Sequence, residues 1–89
     1  MTSPDEVCSA NADRGVKLTS RLMDEGYLLL EGDSEALKFL GELLIAQANF
    51  SPDCGFQIAP NGPGSALFTE GSTTGLYIHR LPCLEEENG

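Results

Sequence analysis

Basic residues are scarce in this sequence. Five lysines and arginines stand against fourteen aspartates and glutamates in 89 residues, which gives a formal net charge of −9. Residues 1–15 carry −2, the glutamates at 85–87 carry −3, and the body of the chain carries the remaining −4. Nucleic-acid binding depends on clustered lysine and arginine, and none cluster here. The sequence therefore predicts no nucleic-acid partner, whereas its acidity can steer basic partners at low salt.

Long apolar runs are also missing. The longest, at 37–48, contains Lys38, Glu42 and Gln47 and is shorter than the roughly 18 to 20 residues that cross a bilayer. The N-terminal segment has neither a basic region nor an apolar one, so we expect no secretory signal. Both observations predict a cytoplasmic protein that does not enter a membrane.

Cysteine is the third scarce residue. Cys8, Cys54 and Cys83 are odd in number and lack the regular spacing of a disulfide framework. We therefore expect three free thiols, as in a reducing compartment.

The length favours one domain, because 89 residues fall below the usual domain size of about 100 to 150 residues. Residues 1–14 are polar and without period, and they are predicted to be a disordered arm. Residues 15–84 are predicted to form a single domain, followed by a disordered acidic tail at 85–89.

Hydrophobic patterning predicts four strands and one helix. Alternating residues at 16–23 and an apolar run at 27–31 flank a turn that contains Gly26, as in a hairpin. Asp33 or Ser34 can cap a helix that ends near Asn49. Shorter alternating segments at 56–59 and 75–81 predict the last two strands.

The helix pattern predicts which side of the helix is buried. Apolar residues recur at steps of three and four, which places one stripe against the core. This stripe comprises Ala36, Leu37, Leu40, Leu43, Leu44 and Ala48, with Gln47 in the same row, and Phe39 and Ile45 lie beside it and widen the predicted buried side.

These elements predict an α+β two-layer sandwich in the order β-β-α-β-β. One long helix would cover one face of a small, mostly antiparallel sheet, and the other face would stay open. An open apolar or aromatic face invites a protein partner or a second copy of the chain. The predicted residues of this face are Tyr27, Leu29, Tyr77, His79 and Leu81.

Catalytic and metal-binding patterns are weak. His79 is the only histidine and could lower the pKa of a Cys54 thiol to make a nucleophile. His79, Cys83, Cys54 and Cys8 could also hold zinc, although two closely spaced ligand pairs are missing. The glycine-rich turn at 61–64 has no lysine and precedes no helix, unlike a phosphate-binding loop. We therefore predict no catalytic residue, no metal and no cofactor.

Part of the chain resembles a known family. The helix start at 32–37, the leucine-rich helix and the closing strand at 76–80 are similar to short bacterial proteins grouped with immunity proteins of polymorphic toxin systems. The resemblance covers roughly residues 27–81. It implies a non-enzymatic protein that binds and blocks a partner toxin, and it draws attention to His79 and Arg80. The N-terminal arm and the first strand depart from the family pattern.

The leading hypothesis is therefore a small binding protein without enzymatic activity. Two alternatives remain open at this point. One is an enzyme or metal protein built on Cys54, His79 and Cys83, and the other is a homodimer with a purely structural role.

Overall fold

The computed structural model describes residues 2–83 and has a mixed α+β fold. Its helices and strands, in chain order, are α1 (Pro4–Asp13), β1 (Thr19–Leu22), β2 (Leu28–Glu31), α2 (Ser34–Asn49), β3 (Gly55–Ile58), a 3₁₀ turn (Ser65–Leu67) and β4 (Leu76–His79). Antiparallel pairing joins β1 to β2 and β3 to β4. Within residues 2–83, no helix is both long enough and apolar enough to cross a membrane.

The expected single sheet is replaced by two separate two-stranded sheets. The loop at 67–74 occupies the second edge of the β1 chain segment. Leu18 N–H donates to Leu67 O over 2.8 Å, and Thr69 N–H donates to Leu18 O over 3.0 Å. Thr73 N–H donates to the carbonyl of Ser20 over 2.9 Å. The loop thus closes the second edge of the β1 segment, and β3 and β4 pair with each other in a separate ribbon.

The prediction of a disordered arm is wrong for residues 4–13, which form α1. Ser3 Oγ accepts from Glu6 N–H over 3.1 Å, while Ser3 N–H donates to Glu6 Oε1 over 2.8 Å. This reciprocal pair is a capping box, and the bond from the Ser3 backbone is the main reason that the pKa of Glu6 lies below its usual value. Val7 and Asn11 are buried on the side of the helix that faces the core. The predicted tail at 85–89 and residue 84 lie outside the described residues.

The start of α2 is confirmed, whereas its buried side matches the predicted stripe only in part. Asp33 Oδ1 accepts from Ala36 N–H over 2.9 Å and caps the helix. Phe39 is fully buried, whereas Leu37 and Leu44 are 48% and 47% exposed. The helix is therefore rotated relative to the predicted stripe. The buried side comprises Ala36, Phe39, Leu43, Ala46 and Gln47.

The prediction of three free thiols is wrong for two of them, because Cys54 and Cys83 form a disulfide with Cα atoms 5.7 Å apart. The fold brings them together: Arg80 N–H donates to Cys54 O over 2.9 Å, so the chain leaving β4 runs beside the start of β3. Cys8 is the free thiol. Because disulfides are rare in reducing compartments, the cysteines no longer support the predicted cytoplasmic location.

Candidate functional site

The five residues predicted to share an open face lie on different elements. Tyr27 and Leu29 belong to the β1–β2 hairpin, whereas Tyr77 and His79 belong to β4. Leu81 follows β4 and is 77% exposed. The prediction of one continuous sheet face is therefore wrong, and each sheet presents its own surface.

The β3–β4 ribbon has one face on the core and one face outward. Side chains alternate between faces along a strand, and directly paired residues share a face. Phe56, Ile58, Leu76 and Ile78 pack on the core. The opposite face carries the pairs Gly55–His79 and Gln57–Tyr77. We call these four residues the Tyr77 face.

Tyr77 is the largest side chain of this face and is 66% exposed. Its ring lies against Gly55: a Cβ added at that glycine would be 2.7 Å from the Tyr77 hydroxyl oxygen and 2.9 Å from Cε1. The ring centroid of His79 is 6.0 Å away, with the two rings tilted by 44°. The absence of a side chain at Gly55 therefore lets the tyrosine ring lean across β3.

A shallow pocket of about 280 Å³ opens beside the ring. Asp53, Gly55, Gln57, Tyr77 and the Cys54–Cys83 disulfide contribute to its lining. Sites that enclose small ligands usually measure about 300 to 1,000 Å³. The pocket is therefore slightly smaller than the sites that usually enclose a drug-sized ligand.

The loop that leads into β3 is held from three directions. Gln47 Nε2 donates to Cys54 O over 2.7 Å, from a side chain that is 1% exposed. Arg80 Nη2 donates to Phe50 O over 2.9 Å. The disulfide adds a covalent link to Cys83. Arg80, singled out by the family resemblance, thus supports the loop beside the Tyr77 face.

The cysteine and histidine residues of the alternative hypothesis do not assemble a nucleophile or a metal site in the described residues. Cys54 is bonded to Cys83, so in this state it offers no thiolate to His79. Within residues 2–83 no three histidine, cysteine, aspartate or glutamate side chains are placed to hold a metal ion. Burial, with a smaller contribution from Asp5, raises the pKa of the Cys8 thiol to about 11.

The β1–β2 hairpin forms the second exposed surface. Ser20 is fully buried and Leu30 packs against the core, but the next pair on the same strands, Leu22 and Leu28, is 65% and 43% exposed. The end of the hairpin therefore extends beyond the core. Its exposed apolar residues, which we call the hairpin tip, are Leu22, Met23, Tyr27 and Leu28.

The sequence did not lead us to predict Gly55 and Gln57 as members of the Tyr77 face. The alternation at 56–59 contained the signal, because it places the Gln57 side chain on the opposite face of the strand from Phe56 and Ile58.

Comparison with protein-family models, with curated proteins and with solved structures found no match. The Tyr77 face and the hairpin tip are therefore the two candidate binding surfaces.

Proposed function

We propose that the protein is a non-enzymatic binding module that engages a protein partner through the Tyr77 face. The observation that carries this proposal is the exposed Tyr77 ring, leaning on Gly55 and placed beside a small pocket. Tyrosine is enriched among the residues that dominate binding energy at protein interfaces, because it combines a large apolar area with a hydroxyl group.

Rigid support favours this assignment. A side chain that is already held in place loses little conformational entropy on binding, which preserves affinity. The ring leans over Gly55, and Gln47, Arg80 and the disulfide hold the loop that leads into β3. Leu81, 77% exposed at the end of β4, can extend the contact area.

The resemblance to immunity proteins favours a blocking role, in which the bound partner is a toxin. A partner of that kind is macromolecular, and one of its side chains can enter the shallow pocket beside Tyr77. The acidic balance of the chain favours a partner with basic residues around its contact surface. We therefore propose that the protein binds and inhibits a basic partner protein.

Quantitative affinity capture from the source cells tests the proposal. The immobilised chain is compared with Tyr77→Ala and with Tyr27→Ala, a matched control because Tyr27 is 70% exposed but lies on the other sheet. We expect the same protein to be enriched by the unmodified chain and by the Tyr27 variant, and to fall by at least about tenfold with the Tyr77 variant. Equal recovery by both variants would contradict the proposal.

A further inference from the structure

Strand β2 has one edge on β1 and, as far as residues 2–83 show, no pairing strand on its other edge. Met23 N–H donates to Tyr27 O over 2.7 Å. Hydrogen-bonded and non-hydrogen-bonded pairs alternate along an antiparallel ladder. With the observed register, the Arg21–Leu29 and Thr19–Glu31 pairs are then the hydrogen-bonded ones. Leu28 and Leu30 consequently direct their N–H and C=O groups away from β1.

The bonds of the β1 segment support this assignment. Leu18 and Ser20 lie at non-hydrogen-bonded positions of the ladder, as Leu28 and Leu30 do. Their backbone groups point away from β2 and form hydrogen bonds with the loop at 67–74. Their edge is therefore closed by the protein itself. Within the described residues, the outward backbone groups of Leu28 and Leu30 have no protein partner. An edge with successive leucines and open backbone groups is a template for another strand.

The open edge is complementary to itself. If two copies of β2 pair antiparallel with Leu29 on the two-fold axis, Leu28 of each copy lies opposite Leu30 of the other. Both are outward residues, so each such pair exchanges both N–H···O bonds, as a hydrogen-bonded pair requires. A two-fold interface needs this kind of self-complementary surface.

Side chains also fit this register. Glu31 lies opposite Tyr27 of the other copy, so the charged residue of the strand does not face its own carboxylate. Leu28, 43% exposed in the single chain, is placed beside a second leucine across the new ladder. Apolar cross-strand neighbours of this kind stabilise a sheet.

We propose that the chain forms a homodimer by pairing β2 with β2 of a second copy, centred on Leu29. The two hairpins then join into one antiparallel four-stranded sheet, and the open edges of both copies are closed. The Tyr77 face lies on the other sheet of each copy and does not take part.

Light scattering of the full chain tests association. We expect a mass of about 19 kDa, twice the 9.5 kDa of one chain. Leu29→Glu and Leu29→Lys should each weaken association by at least about tenfold, because like charges then meet on the axis. An equimolar mixture of the two variants should restore the dimer. A mass of 9.5 kDa for the unmodified chain at the highest attainable concentration would overturn the proposal.

A cysteine variant tests the register. In a Cys8→Ser background, Leu29→Cys should form an intermolecular disulfide under mild oxidation, because facing residues of a non-hydrogen-bonded pair have Cα atoms about 4.5 Å apart. Leu37→Cys, on the exposed side of α2, is the matched control. Circular dichroism confirms that each variant folds. Equal cross-linking by both variants would overturn the proposed pairing.

The dimer and the proposed partner site can fail separately. Tyr77→Ala should leave the mass of the dimer unchanged, whereas Leu29→Glu should leave the Tyr77 face intact. Loss of dimerisation in Tyr77→Ala would contradict pairing through β2.

Discussion

The side-chain amide of Asn11 on α1 lies 3.4 Å from Glu42 Oε1 on α2 and donates to it, joining the two helices through residues 31 positions apart in sequence. The same amide donates to Val7 O over 2.8 Å. One turn further along α1, its C-cap residue Arg14 forms an ion pair at 2.7 Å with Glu35, which lies nearer the start of α2 than Glu42 does. The contacts run in opposite directions along the two helices, so α1 packs antiparallel to α2 as part of the fold.

The packing of α1 predicts a stability cost for its core contact. Val7 is 7% exposed, and Val7→Ala should lower the free energy of unfolding by about 1.5 to 3 kcal/mol through lost apolar burial and a residual cavity. Ser9→Ala, at an exposed position of the same helix, is the control and should change stability by less than about 0.5 kcal/mol. Urea unfolding measures both. A neutral Val7→Ala would mean that α1 is not docked.

The rotated face of α2 makes a second prediction. Phe39→Ala should cost about 3 to 5 kcal/mol, since the ring is fully buried. Leu44→Ala should cost less than about 1 kcal/mol, since 47% of that residue is already in water. The half-buried Leu40 should fall between them. Denaturant unfolding measures the free energy of unfolding of the three variants. A larger loss at Leu44 than at Phe39 would contradict the buried side of α2 in this structure and would favour the stripe predicted from the sequence.

The disulfide should contribute substantially to stability. Cys54 and Cys83 are separated by 29 positions, and closing a loop of that length in the unfolded chain is worth about 3 to 4 kcal/mol. The double variant Cys54→Ser with Cys83→Ser should lose this amount in urea unfolding. Cys8→Ser serves as the control for removing a thiol. A double variant as stable as the unmodified chain would contradict the disulfide.

Cys8 should react slowly with alkylating reagents. Burial first, and Asp5 second, raise the pKa of its thiol from 9.0 to about 11, so the thiolate fraction near neutral pH falls about a hundredfold. Iodoacetamide labelling, followed by mass spectrometry, compares native and urea-unfolded protein. Equal rates in the two states would contradict the burial of this thiol.

The same shift has a consequence for stability. Between the pKa of the unfolded chain and that of the folded one, the thiol ionises only in the unfolded chain. Raising the pH through the window from 9.0 to about 11 therefore favours unfolding. A Cys8→Ser variant should lose this part of the pH dependence.

Local sequence patterns predicted several elements because their causes are local. The cap at Asp33, the length of α2 and the positions of the four strands follow from side chains within a few residues. The start of α1 carried a similar signal, since Ser3 and Glu6 have the spacing of a capping box. The low apolar content of that segment outweighed this signal and led to the wrong prediction of disorder.

Non-local features were the ones that the sequence did not predict. The buried side of α2 depends on where α1 and the ribbon pack, and apolar residues occur on both sides of this helix. The Cys54–Cys83 pairing depends on the path of the chain after β4. The closing of the β1 edge depends on Phe68 and its neighbours reaching Leu18. Tyr77 and His79 share β4, as the sequence predicted, whereas their separation from Tyr27 on another sheet was not predicted.

Photo-cross-linking tests the proposed contact surface most directly. A photoreactive benzoylphenylalanine is introduced at Tyr77 in one chain and at Tyr27 in another, and both are irradiated in the source cells. We expect position 77 to give an adduct with one foreign protein, whereas position 27 gives an adduct with a second copy of this chain. The same foreign adduct from both positions, or none from position 77, would contradict binding through the Tyr77 face.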